Sequence, residues 1–205
     1  MVFDPILLGG SVLGLLTAFV VHEYAHARAA YSLGDPTSKY AGRLTLDPRV
    51  HLDPVGSLCL LVSMLTSQGR LALGWAKPVM FDRDNFKSPY LDGALVALAG
   101  PISNLVLAFG LALLMRLALP GNLLIDLTIR ANLGFVLFNL FPLPPLDGWK
   151  VLQAFVPSVW ARSMQRGEER LGIYAPVLLL CSSPLLIRPI FSPLYSNLAL
   201  LLTGH

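Results

Sequence analysis

Two histidines and a glutamate stand in an apolar stretch, in the segment FVVHEYAH at residues 19–26. No charged residue occurs between Pro5 and Val21. His22 and His26 are four residues apart, so on a helix their imidazoles share one face, one turn apart. Two imidazoles placed in this way can bind one zinc ion, with Glu23 beside them as a general base. Ionisable side chains in apolar segments are rare and usually functional, which favours a metal site over a chance match or two hydrogen-bonded core histidines.

The pattern H-E-x-x-H is typical of zinc-dependent proteases, in which a catalytic zinc takes a third ligand from the protein and leaves one position open. Four residues in or beside apolar segments are candidates for that ligand, and Asp147 is favoured because it ends the stretch NLFPLPPLD at residues 139–147. The other three candidates are His51, Asp92 and Asp126. Prolines, Pro142 among them, prevent a regular helix before Asp147 and free backbone groups that could hold an extended peptide. The alternative is a proline-rich helix exit with a solvated aspartate.

The composition indicates an integral membrane protein. Of the 205 residues, 55% are hydrophobic and only 13% are charged, whereas a soluble domain has about 25% charged residues. A spanning helix needs about 20 apolar residues. Three apolar segments are long enough to span: 5–30, 91–118 and 122–141. Of the other apolar segments, 54–66 is short, 190–203 is marginal, and the last is 171–187. Both cysteines, Cys59 and Cys181, lie in such segments and are interpreted as small apolar residues rather than as a disulfide.

The positions of the basic residues predict an orientation. The first 21 residues contain no lysine or arginine, whereas four basic residues follow His26: Arg28, Lys39, Arg43 and Arg49. This asymmetry places the His26 end of the first helix in the cytoplasm. Residues 27–90 then begin and end on the cytoplasmic side, so 54–73 is expected to be re-entrant or hairpin-like. The lack of a basic region before the first apolar segment argues against a cleaved signal peptide.

Two polar stretches are expected to be extended. The alternation in SKYAGRLTLDP, residues 38–48, predicts a short strand or hairpin at the membrane surface. The stretch GWAKPV, residues 74–79, is interpreted as an edge strand that could pair with an extended substrate, or as an ordinary loop. The expected fold is an all-α polytopic membrane protein of five to six transmembrane or re-entrant helices with a small membrane-surface β element. It forms one domain over residues 1–205, with its core at 5–148 and C-terminal helices at 149–205.

The motif HEYAH at residues 22–26 and the later series Asn139, Pro142, Asp147 and Gly148 resemble the two signatures of the site-2 protease family. The stretches AGPISN (99–104), GRLTLDP (42–48) and GWAKPV are similar to those of its compact bacterial and archaeal branch, which has no PDZ domain. The resemblance implies a zinc metalloprotease that cuts membrane proteins within or next to their transmembrane segments.

The resemblance also implies roles for individual residues. One Zn²⁺ per chain would be held by His22, His26 and Asp147, with Glu23 as the base. Asn139 would hold the substrate backbone or the developing oxyanion, and the alternative is a helix–helix hydrogen bond. Asn104 presents the same choice between substrate and packing, and packing is favoured because Gly100 and Ser103 allow helices to approach closely.

The expected partners are a transmembrane protein or peptide substrate and the lipid bilayer, with no nucleic acid. The chain is expected to cross the cell membrane several times, with its active site opening to the cytoplasm. Two other functions use the same residues. A membrane zinc transporter or sensor is disfavoured because it has no need of Glu23 beside the ligand. An inactive relative that binds membrane helices is disfavoured because the ligands and the base are all present.

Overall fold

The protein is built from helices. A computed structural model describes residues 4–66, 74, 75, 77, 79–172, 174 and 188–204. The α-helices within these residues, in chain order, are α1 (Pro5–Ser32), α2 (Thr37–Tyr40), α3 (Pro48–His51), α4 (Pro54–Thr66), α5 (Pro89–Leu117), α6 (Leu123–Asn139), α7 (Asp147–Gln153), α8 (Ser158–Leu171) and α9 (Arg188–Thr203). A short 3₁₀ turn, Arg83–Asn85, precedes α5. Helices α1, α5 and α6 pack against one another, while α7 lies on α5 and α9 lies on α6.

Local sequence signals fix the start of the first helix. The side chain of Asp4 accepts hydrogen bonds from the amides of Ile6 and Leu7, and Pro5 is the first helical residue. This combination satisfies amides that have no partner within the helix. Gly34, with a φ of 106°, follows the last turn. That backbone conformation favours glycine, so the chain can leave the helix at this point.

Helix α5 has large apolar side chains on its exposed face and small residues on its packed face. The buried face carries Ala94, Ala97, Gly100, Asn104, Ala108 and Ala112. The exposed face carries Leu91, Leu95, Ile102, Val106, Phe109 and Leu113. Small residues let membrane helices approach closely, whereas large apolar ones suit contact with lipid. By length and composition, α1 and α5 are the two helices of the described chain that could cross a membrane.

The other apolar segments with described helices form helices shorter than a full span of about 20 residues. Helix α6 has 17 residues, α4 has 13 and α9 has 16. Helices α6 and α9 are nevertheless part of the core, because Ile129, Leu133 and Leu202 pack with Ala108 and Met115 of α5. The five to six spans and the hairpin at 54–73 therefore stay predictions. Part of the predicted hairpin, residues 67–73, lies outside the described residues. So does most of the predicted segment 171–187, which contains Cys181. Cys59 is a half-buried free thiol.

The expected β element is not found among the described residues, where this part of the chain forms turns and the short helices α2 and α3. Tyr40 and Leu46, two large residues of this alternating stretch, are both exposed. Asp47 instead caps α3 by accepting from the amide of Arg49, with Pro48 as the first helical residue. In the GWAKPV stretch no strand is formed by the described residues, although the Lys77 amide donates to the carbonyl of His51 at 3.0 Å.

The end of α1 and the start of α5 lie side by side. Ala30 of α1, Val96 of α5 and Phe86 of the connecting segment form one small apolar cluster. The chain between the two helices therefore leaves and returns at the same end of the bundle. This agrees with the expectation that residues 27–90 begin and end on one side of the membrane.

Candidate metal centre

Three side chains that were predicted to bind zinc converge where α1, α5 and α7 meet. Nε2 of His22 and Nε2 of His26 lie 3.1 and 3.2 Å from Oδ2 of Asp147. The ligand atoms of these residues all lie within 4.8 Å of one another, and the three side chains are buried. Asp147 is more than a hundred residues from the histidines in the sequence. The packing of α7 on α5 places it beside them.

Hydrogen bonds on the far side of each imidazole leave Nε2 free to bind a metal. Nδ1 of His26 donates to the carbonyl of Val96 at 2.7 Å. Nδ1 of His22 lies 2.7 Å from Oδ1 of Asn104. Because an amide oxygen only accepts, Nδ1 of His22 must carry the proton. In the neutral tautomer with this proton on Nδ1, each ring presents an unprotonated Nε2 to Asp147, as metal-binding histidines do when their other nitrogen donates to the protein.

The residues present fit a zinc ion. Oδ2 of Asp147 is buried and accepts no hydrogen bond of ordinary geometry, although two imidazole nitrogens face it. Two neutral imidazoles and one carboxylate are a ligand set used by catalytic zinc. Bond lengths of about 2.0–2.2 Å in a tetrahedral site separate neighbouring ligand atoms by about 3.3 Å, close to the distances found here. The buried carboxylate thus lacks one partner, which a cation would supply.

Glu23 is next to the cluster, and only one of its oxygens is engaged. Oε2 accepts a hydrogen bond from the backbone amide of Val79 at 3.1 Å. Oε1 accepts none from the described residues. Glu23 is 9% exposed and sits on the same helix as both histidines. A carboxylate with one oxygen held and one free is suited to moving a proton at the free oxygen.

A chain of amides crosses the bundle behind His22. Nδ2 of Asn104 donates to the carbonyl of Ala18 and to Oδ1 of Asn132, each at 2.8 Å. Asn132, on α6, in turn donates to the carbonyl of Thr128 at 2.8 Å. Asn104 is fully buried and its amide is used within the bundle, which favours the packing interpretation over substrate contact. No role was predicted for Asn132, although an amide in an apolar segment can indicate a hydrogen bond between helices.

Two glycines allow the elements of the site to approach closely. A Cβ on Gly100 would lie 2.5 Å from Nε2 of His26 and 2.6 Å from Cε1 of His22. A Cβ on Gly148 would lie 2.2 Å from the carbonyl oxygen of Leu140. Gly148 lies inside α7, directly after the ligand Asp147. Its role is to let the first turn of α7, which carries Asp147, approach the end of α6.

The other candidate ligands are engaged elsewhere. Nε2 of His51 lies 2.9 Å from the Thr45 carbonyl oxygen, and its ring packs edge-on against Phe19. Asp92 accepts from the Ser88 amide at 2.8 Å, as part of the start of α5. Asp126 forms an ion pair with Arg130 of its own helix at 2.8 Å. Of the four candidates, Asp147 alone joins the histidines.

Asn139 and Pro142 lie at the end of α6 and in the turn that follows it. The side chain of Asn139 is half-buried and donates to the Phe135 carbonyl at 3.0 Å, within its own helix. Pro142 is exposed. The substrate-binding roles expected of both residues stay predictions.

Comparison with known proteins agrees with this geometry. The candidate zinc metalloprotease YwhC of Bacillus subtilis is 40% identical over 169 residues, which cover 77% of this chain and 74% of YwhC. The candidate zinc metalloprotease Rip2 of Mycobacterium tuberculosis is 29% identical over 177 residues, covering 82% of this chain and 66% of Rip2. A similar protein of Methanocaldococcus jannaschii, MJ0611, is 45% identical over 69 residues, 32% of this chain and 36% of MJ0611. No family model and no solved structure matches the chain.

The metal site and the similarity to YwhC and Rip2 therefore indicate a zinc metalloprotease, and the two long apolar helices suggest a membrane protein. Its helices α1 and α5 are long and apolar enough to cross a membrane, and α1 carries both histidines. The chain belongs to the site-2 protease family, as its similarity to YwhC and Rip2 shows.

Proposed function

We propose that this protein is an intramembrane endopeptidase that hydrolyses peptide bonds within or next to the transmembrane segments of membrane proteins. The observation that carries the proposal is the position of the ligand cluster along two long apolar helices. His26 and His22 lie six and ten residues before the end of α1, and Gly100 lies eleven residues after the start of α5. At 1.5 Å per residue these positions are about 9, 15 and 17 Å from the helix ends.

This depth supports a site inside the bilayer. Helix α1 is about 42 Å long at the same rise per residue, and the hydrocarbon layer is about 30 Å thick. A helix that extends a few ångströms beyond each face would hold its histidines within the hydrocarbon, near one face. The asymmetry of basic residues assigns that face to the cytoplasm. The arrangement that we propose is a multi-pass protein of the cell membrane, with water reaching the site from the cytoplasm.

Each residue has a separate task in the proposed reaction. His22, His26 and Asp147 would hold the zinc, which supplies a Lewis acid for the scissile carbonyl and for the attacking water. Glu23 takes a proton from that water at its free Oε1 while the water oxygen bonds to the carbonyl carbon. The carbon–nitrogen bond then breaks, and Glu23 delivers the proton to the leaving amine. The substrate is a transmembrane helix that unwinds locally, because a helical peptide hides its carbonyls.

Glu23→Gln tests this assignment. The variant keeps the shape of the side chain but cannot accept the proton, so we expect it to bind zinc at one ion per chain and to cleave nothing. Purified protein in bilayers, incubated with single-span membrane proteins and analysed by mass spectrometry, gives both the products and the cut site. Cleavage that persists in Glu23→Gln, or that survives chelation of the metal, would show that another group does the chemistry.

The same experiment separates the alternatives. A zinc transporter would move metal across a sealed vesicle and release no peptide fragments. An inactive relative would bind substrate helices without cutting them. Fragments whose new ends map to a soluble loop far from any membrane segment would show a protease of a different substrate class.

A further inference from the structure

We infer that Asp35, just beyond the end of α1, is a positioning residue for the catalytic base. It anchors the segment 79–86, so that the backbone amide of Val79 holds Oε2 of Glu23. This inference rests on the proposed role of Glu23 and adds the group that fixes its orientation. Asp35 lies twelve residues from Glu23 in the sequence and has no ligand role.

Asp35 is fully buried and accepts four hydrogen bonds. Two come from Thr37, through its amide at 3.1 Å and its hydroxyl at 2.5 Å. The other two come from the segment before α5: the side-chain amide of Asn85 at 2.7 Å and the backbone amide of Asp82 at 2.9 Å. Burial acts to raise the pKa of the Asp35 carboxyl, but these donors outweigh it and the pKa lies below its ordinary value. The carboxylate therefore ties two segments together as an anion.

Further contacts hold the same segment against α1, α2 and α5. The hydroxyl of Ser38 donates to the carbonyl of Met80 at 2.6 Å. Phe86 is buried between Ala30 and Val96. Val79 itself is buried, with 8% of its surface exposed. The segment is thus anchored on both sides of Asp82, and its first residue is the one that reaches Glu23.

A backbone amide suits this task better than a side chain. It donates one hydrogen bond and cannot take the proton that the base must carry. Its direction is set by the segment that bears it, and the contacts that hold this segment involve none of the metal ligands themselves. With Oε2 held, Oε1 keeps one orientation for the water. A misplacement of about 1 Å in such a group can cost on the order of 100-fold in rate.

The first test measures position without using activity. Val79→Cys is introduced after Cys59→Ser and Cys181→Ser, and the rate of maleimide modification is measured in zinc-loaded protein in bilayers. Adding Asp35→Asn, which removes the acceptor for the Asp82 amide, should raise this rate at least fivefold. Asp47→Asn, a matched change in a surface turn, should not alter it. An unchanged rate in Asp35→Asn would overturn the claim that Asp35 anchors the segment.

The second test removes the hydrogen bond to Glu23 alone. Replacing the Val79 residue by its α-hydroxy acid gives an ester at this position, which keeps the side chain but has no N–H. We expect kcat to fall on the order of 10- to 100-fold, with KM and zinc content unchanged. The same ester at Met80, whose side chain is exposed, is the control. Asp35→Asn should likewise lower kcat and leave KM unchanged.

The outcomes distinguish this inference from the proposed function. If the wild-type protein cleaves nothing, the proposed function fails, whatever the labelling shows. If it cleaves and the ester keeps its full kcat, the positioning role is wrong while the protease assignment stands. A rise in kcat would show that the Val79 amide restrains the base instead of aligning it, which also overturns the inference. A parallel loss of zinc from Asp35→Asn would indicate a purely structural role.

Discussion

Nδ1 of His22 and Oδ1 of Asn104 lie 2.7 Å apart, across the interface between α1 and α5. The amide nitrogen of Asn104 is used by Ala18 and Asn132, so its oxygen can only face the imidazole. This contact sets which nitrogen of His22 carries the proton and therefore which nitrogen is available to zinc. Helix packing and metal binding thus depend on the same buried amide.

Asn104→Leu should weaken zinc binding. Without the acceptor, the His22 ring can rotate and can place its proton on Nε2, where it blocks the metal. Loss of such a partner costs about 10- to 100-fold in affinity, which competition with a chromophoric chelator measures. Asn197→Leu, at an exposed position of α9, is the matched control. Equal affinities in the two variants would show that Asn104 does not orient the ligand.

Part of this site could be predicted from the sequence. The spacing of His22 and His26 is enough to place both on one helical face, because that geometry depends on local structure alone. The amide of Val79 could not be predicted, because a backbone donor has no signature and its contact with Glu23 joins segments 56 residues apart. The strand expected near Tyr40 is not found, for a different reason. Alternation indicates a strand only where one face is buried, and here Tyr40 and Leu46 are both exposed.

Gly100→Ala should displace the ligands directly. The added methyl would lie 2.5 Å from Nε2 of His26, closer than van der Waals contact allows, so the ring or the helix must move. We expect zinc content to fall well below one ion per chain, as measured by elemental analysis after gel filtration. Gly110→Ala is a control in the same helix, since a Cβ there meets nothing within 4 Å. It should keep its zinc and gain up to about 1 kcal/mol from helix propensity.

Gly148→Ala should act on the third ligand through the backbone. The new Cβ would lie 2.2 Å from the carbonyl oxygen of Leu140 and 2.5 Å from that of Phe141, and neither carbonyl can rotate away as a side chain does. Helix α7 must therefore shift and carry Asp147 with it. Zinc affinity and proteolysis should fall together, while Gly134→Ala, in open space on α6, should change neither. Retained zinc affinity in Gly148→Ala would show that α7 can move without displacing its ligand.

The orientation of the chain can be tested at two exposed positions. Arg49, whose side chain is 89% exposed, is the last of the four basic residues that predict the cytoplasmic side. Leu119, also exposed, lies at the other end of α5, a helix long enough to cross the membrane. In a background of Cys59→Ser and Cys181→Ser, an impermeant maleimide added to intact cells should label Leu119→Cys. It should label Arg49→Cys only after the membrane is opened. The reverse pattern would place the metal site near the outer face, and water would then have to reach Glu23 from outside the cell.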